Sequence, residues 1–127
     1  MPRTRADWGW GRGLGLLTFA VLLLFQVYAL YVITPGSGAS LPYADKMAHT
    51  AMFATPAALA AALRWRWALA VLVVHAVVSE PLQGALTATR QVDAWDAVAD
   101  MIGIAVGVAA VSQWRSDRPR RAGEGAQ

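Results

Sequence analysis

The stretch from Gly13 to Ile33 contains no charged residue, and no other feature restricts the fold of this chain as severely. At about 1.5 Å per residue, a helix of this length crosses the roughly 30 Å hydrocarbon core of a bilayer. Backbone N–H and C=O groups find no water there, so a lone segment satisfies them only as a helix. Arg3, Arg5 and Arg12 precede the run as the basic flank of a secretory signal peptide would. A signal core is shorter, about 7–15 residues. Although small residues follow at Gly36-Ser37-Gly38-Ala39-Ser40, the segment therefore reads as a retained anchor.

Three further stretches have the length to cross. The second starts near Asp45 or Lys46 and runs to about Leu63; it is rich in alanine and contains Pro56, which membrane helices tolerate at a kink. The third runs from about Trp67 past Val78 toward Leu86, with its end left open because Pro81 disfavours helical geometry at Glu80. The fourth begins near Asp93, an N-cap residue type, and extends to about Trp114. The expectation is an all-α polytopic membrane protein, a four-transmembrane-helix bundle. Residues 1–12 form its N-terminal segment, 13–114 its membrane domain, and 115–127 a polar tail whose Gly, Pro and mixed charge point to disorder.

Basic residues set the orientation of such a bundle. Arg3, Arg5, Arg12, Arg64, Arg66, Arg115, Arg118, Arg120 and Arg121 fall on one side, and only Lys46 and Arg90 on the other. Both termini are thus expected in the cytoplasm, with the 34–45 and 87–92 connections outside. Trp8, Trp10, Trp65, Trp67, Trp95 and Trp114 fall at span ends, where indoles anchor in the headgroup layer. The composition agrees: 57% of 127 residues are hydrophobic and 15% charged, against about a quarter charged in soluble domains. The chain has no cysteine, which removes a disulfide framework, a thiolate metal site and a cysteine nucleophile. All of its arginines except Arg90 sit at the chain ends and in one turn, a topological signal and not a nucleic-acid-binding stripe.

Five of the eight acidic residues, Asp45, Glu80, Asp93, Asp96 and Asp100, belong to the outer ends of spans two to four, together with Lys46, His49, Gln83 and Arg90. Ionisable groups in spanning segments cost about 2.5–3.5 kcal/mol each on insertion scales and face a bundle interior or a wet cavity. Asp45 and His49 are four positions apart, so one carboxylate and the imidazole share a helix face. Glu80 and Gln83 do the same if the helix survives Pro81. Asp93, Asp96, Asp100, Gly103 and Gly107 follow a 3-4-3-4 spacing that draws one stripe, acidic at the outer end and glycine deeper. Gly103-x-x-x-Gly107 lets another backbone approach closely, from within the bundle or from a second subunit. Five acids face two bases at this mouth. A metal ion, a proton or a cationic group of a ligand would each balance the deficit.

The pattern Asp45-Lys46-x-x-His49, Glu80-x-x-Gln83, Arg90-x-x-Asp93-x-x-Asp96-x-x-x-Asp100-x-x-Gly103-x-x-x-Gly107 resembles the VanZ-like family of small bacterial membrane proteins, over about residues 45–107. The resemblance implies a multi-span helical protein of the bacterial plasma membrane; the family's namesake is linked to low-level teicoplanin resistance. The chain departs from the family pattern at Asp100, where relatives carry Asn. It departs again at Val77 and its neighbours, where they often carry Gly before the Glu, and at Thr87-Ala88-Thr89, where they often carry Pro before the Arg.

A purely structural role for these groups is interhelical hydrogen bonding, worth about 0.6 kcal/mol per bond. One or two such bonds would suffice for assembly, and the cluster exceeds that need. The leading functional expectation is a binding or modifying site for an anionic envelope lipid or lipid-linked precursor. Lys46 and Arg90 would hold phosphate or carboxylate, Gln83, Asp93, Asp96 and Asp100 would line the site, and His49, Asp45 and Glu80 are the candidate acid/base groups. Ser79 reads as a backbone-bonding serine, not a nucleophile. One alternative is a proton or cation pathway through His49, Glu80, Asp96 and Asp100. Its oxygen-rich set suits Mg²⁺ or Mn²⁺, and its imidazole also admits Zn²⁺. His75 and Gln26 are the only markedly polar groups deeper in the spans. Another alternative is an interaction protein that supports an envelope enzyme.

Overall fold

A computed structural model of the chain describes residues 5–33, 43–86 and 93–124. The protein is all-α, with four helices in chain order: α1 (Arg5–Tyr31), α2 (Ala44–Ala62), α3 (Arg66–Leu86) and α4 (Ala94–Glu124). They pack up and down, so the start of α2, the end of α3 and the start of α4 share one end, here called the acidic end. The start of α1 and the α2–α3 turn share the other, where Gly15 lies against Leu63 and Trp65.

Three helices are long and apolar enough to cross a membrane: Gly11–Tyr31 of α1, α3, and Ala94–Arg118 of α4. The exception, α2, has 19 residues, long enough at about 28 Å. It carries Asp45, Lys46, His49, Thr50 and Thr55 among its alanines, and these lower its hydropathy. Its position explains why that is tolerated, since α2 touches α1, α3 and α4. Polar groups on the packed face of such a helix are met by neighbours and not by lipid.

The closest packing in the molecule is α2 on α4, and glycine creates it. A Cβ at Gly103 would overlap Thr50 O and come within 3.1 Å of Ala54 N; one at Gly107 would overlap Ala54 O and lie 2.9 Å from Ala58 N. The stripe therefore faces α2 within the bundle. Below it, Phe53, Ala57 and Ala60 of α2 join Leu72 and Ala76 of α3, Phe19 and Leu30 of α1, and Ile104 of α4 in one core.

The turn between α2 and α3 closes without glycine. Arg64 adopts φ 58, and the bonds Arg64 N–H to Ala61 O (3.1 Å) and Trp65 N–H to Ala60 O (2.9 Å) make a Schellman cap around it. Trp65 turns inward to 8% exposure and stacks on Trp67 with Phe19 edge-on. Trp65 was expected as an interfacial anchor; it is instead core, because the cap folds it back under the helix end. Trp67, Trp95 and Trp114 are exposed.

Two other boundaries differ from expectation. α3 continues through Pro81 to Leu86, with Pro81 on its exposed side, so Glu80 and Gln83 share a buried face. The segment from Arg115 onward, expected to be disordered, is helical to Glu124. Local contacts hold it: the Arg118 guanidinium lies 3.8 Å over the Trp114 ring, one helical turn away. Arg115 Nη2 donates to Ala62 O at 2.8 Å, capping a carbonyl at the C-terminus of α2 with a cation, the sign its dipole favours.

Candidate functional site at the acidic end

At the start of α4, Asp93 acts as N-cap, its Oδ1 accepting Trp95 N–H at 2.9 Å. From that anchored turn, the 3-4 spacing carries Asp96 and then Asp100 down the face that meets α2. The glycines beneath them bring the two helices close enough for side chains to meet directly.

Lys46 is committed to this face. Its Nζ bonds Asp93 Oδ2 at 2.5 Å and also Asp96 Oδ1, with Asp45 Oδ2 at 3.7 Å. The Lys46 ammonium and the Trp95 N–H hold the Asp93 carboxyl below its ordinary pKa. His49, 1% exposed, hydrogen-bonds through Nδ1 to Asp100 Oδ1 at 2.9 Å. Its Nε2 lies 3.7 Å from Asp96 Oδ2 and 4.0 Å from Asp45 Oδ1, beyond hydrogen-bonding distance of both. The sequence pairs His49 with Asp45 by helical spacing. The structure orients the ring through Asp100 instead, because Asp45 sits on the exposed first turn while Asp100 is driven against His49 by the α2–α4 contact.

Glu80 and Gln83 of α3 are both buried, at 3% and 2% exposure. Glu80 Oε2 accepts the backbone N–H of Asp93 at 2.8 Å, joining the end of α3 to the entry of α4, while its Oε1 has no hydrogen-bond partner among the described residues. Arg90 lies outside the described residues. Of the expected site residues, the structure brings Asp45, Lys46, His49, Glu80, Asp93, Asp96 and Asp100 into one linked set.

Two features escape the sequence reading. Ser79 is fully buried, and its Oγ lies 3.1 Å from Ala76 O and 3.4 Å from Asp100 Oδ2. The backbone bond was expected; the approach to Asp100 was not, since it depends on how α3 and α4 cross. The other is a groove of about 790 Å³ between α2 and α4, lined by Tyr43, Lys46, Met47 and Ala51 on one wall and Trp95, Val98 and Ile102 on the other. The small side chains Ala51, Ala54 and Ala99 leave this room beside the glycine contact, a pattern present in the sequence but legible only once the two helices are paired.

Deeper in the bundle the polar groups are few. His75 stacks on Tyr31 with ring centroids 6.4 Å apart and lies 5.5 Å from Phe53. Gln26 is fully buried on α1. No charged residue follows Asp100 toward the far end within the described core.

Outside the bundle, Leu14, Leu17, Leu24 and Phe25 of α1, Val74 and Val77 of α3, and Ile102 and Val106 of α4 are exposed. Soluble monomers rarely expose apolar patches beyond a few hundred Å². Helices with apolar exteriors and charges turned inward define a multi-pass helical membrane protein. No family model, curated protein or solved structure matches the chain.

Proposed function

We propose that this chain is a VanZ-like four-span protein of the bacterial plasma membrane, with both termini cytoplasmic and the acidic end outward. It binds an amphiphile of the cell envelope, a lipid or lipid-linked precursor. The acyl chain lies in the α2–α4 groove, and the head group meets the polar cluster. The observation that carries this reading is the position of Lys46, which lines the apolar groove and is bonded into the carboxylate cluster. An apolar trough leading to concentrated polar groups is the shape an amphiphile fills.

The charge balance selects among head groups. Lys46 is matched by Asp93 and Asp96, so a purely anionic head group would have to displace a carboxylate. A head group bearing an amine beside its phosphate suits the surplus of acid. The phosphate would meet Lys46, and the amine would face Asp93, a partly exposed carboxylate. The family resemblance connects such binding with glycopeptide tolerance. A proton or cation pathway has less support, because the polar groups below Asp100 are the stacked His75 and the isolated Gln26.

The test is native mass spectrometry of the full chain released from nanodiscs of phosphatidylethanolamine or phosphatidylglycerol. Retention of one phosphatidylethanolamine, lost in Ala51→Phe, supports the reading. Equal retention in Ala51→Phe, or retention of neither lipid, overturns it. Proton or cation flux in liposomes above background, abolished by Asp96→Asn, would establish the pathway instead.

A further inference from the structure

The His49 imidazole is held in a way the amphiphile does not require. Its Nδ1 faces the fully buried Asp100 carboxylate at 2.9 Å. With a carboxylate as partner, Nδ1 carries the proton, and the lone pair of the neutral ring resides on Nε2. That atom points between Asp96 Oδ2 at 3.7 Å and Asp45 Oδ1 at 4.0 Å, and bonds neither. Each of these carboxylates turns its other oxygen to Lys46. One ligand atom from each of His49, Asp45 and Asp96 lies within 4.8 Å of those of the other two.

We infer that His49 Nε2, one oxygen of Asp45 and one of Asp96 form a binding site for a divalent transition-metal ion, with Zn²⁺ the best fit. Bonds of about 2.0–2.2 Å in tetrahedral geometry place ligand atoms roughly 3.3–3.6 Å apart. The set reaches that spacing by a contraction of about an ångström, which the exposed Asp45 side chain supplies by moving inward. Asp100 then plays the part of the carboxylate that fixes the tautomer and orientation of a ligating histidine. One nitrogen and two oxygens favour a borderline ion over Ca²⁺ or Mg²⁺, which take all-oxygen sets. Three protein ligands leave a fourth position toward the mouth, open to water or to an oxygen of a bound molecule. The site rests on these side chains alone and does not depend on an occupant in the groove.

Zn²⁺ titration of the chelator-treated full chain in detergent, followed by calorimetry and by Co²⁺ absorption, tests the inference. One equivalent binds to the wild-type chain, with a tetrahedral Co²⁺ spectrum. Asp45→Asn, an exposed change that leaves the bundle intact, lowers affinity at least tenfold; Asp45→His restores it. Asp100→Asn lowers affinity by about 10–100-fold through the orientation of His49. Lys46→Met tightens binding by freeing both carboxylates, a gain that misfolding cannot imitate. Absence of stoichiometric binding in the wild-type chain, or unchanged affinity in Asp45→Asn and in His49→Gln, overturns the site.

Discussion

Asp100 is the residue on which the cluster turns, being fully buried and bonded to both His49 and Ser79. Removing its acceptor oxygens leaves the His49 N–H unsatisfied in a dry interior. Asp100→Ala is expected to cost about 1–2 kcal/mol, the upper range for intramembrane polar contacts, whereas Asp100→Asn keeps an acceptor and costs less than about 1 kcal/mol. Unfolding of the purified chain in mixed detergent ranks the two variants, and equal losses would show that the His49 bond contributes little. Asp93 gives a pH signature instead. Its carboxyl is depressed below 3.8 in the folded chain by Lys46 and by Trp95 N–H. Such a group stabilises the fold fully above its unfolded pKa and loses that contribution as pH falls through its lower folded value. The melting difference between wild type and Asp93→Asn should therefore be constant from pH 7 to about 5 and shrink below pH 4. A difference that persists unchanged at pH 2.5 would contradict the Lys46 pairing.

Among the elements, the α2–α4 contact sets the rest. Gly107→Ala would drive a methyl group into Ala54 O and Ala58 N, both backbone atoms, so the helices must separate. The expected loss is about 1–3 kcal/mol. Gly13→Ala meets nothing within 4 Å and is neutral or slightly stabilising through helix propensity; similar losses at both positions would rule out glycine-mediated packing. Most of this scale was legible in sequence: the 3-4-3-4 stripe foretold which face of α4 turns inward, and the N-cap at Asp93 foretold where α4 begins. The partner of His49 was not legible, because spacing within a helix reveals Asp45 but only the crossing of two helices selects Asp100. The end of α3 was ambiguous because Pro81 is damaging or harmless according to which side of the helix it occupies, and it occupies the exposed side. The helix beyond Trp114 was missed because composition alone weighs polarity without the Arg118–Trp114 stack or the Arg115 cap on Ala62.

At the level of the whole molecule, α2 packs against the other three helices and is the one whose composition falls short of a membrane span. The chain lacks cysteine, so single introduced cysteines report sidedness cleanly. An impermeant maleimide applied from outside is expected to label Ser37→Cys and to spare Arg64→Cys in the full-length protein. In a chain ended at Leu86, Arg64→Cys should become accessible, because α2 without α4 exposes Asp45, Lys46 and His49 to lipid. Protection of Arg64→Cys in the shortened chain would mean that α2 inserts unaided. The dependence has a bearing on biogenesis. A segment whose buried polar groups are met by a helix made two elements later must linger at the translocon or the bilayer surface until α4 has emerged. Membrane entry of α2 is then coupled to that of α4 rather than being the next step in a helix-by-helix sequence.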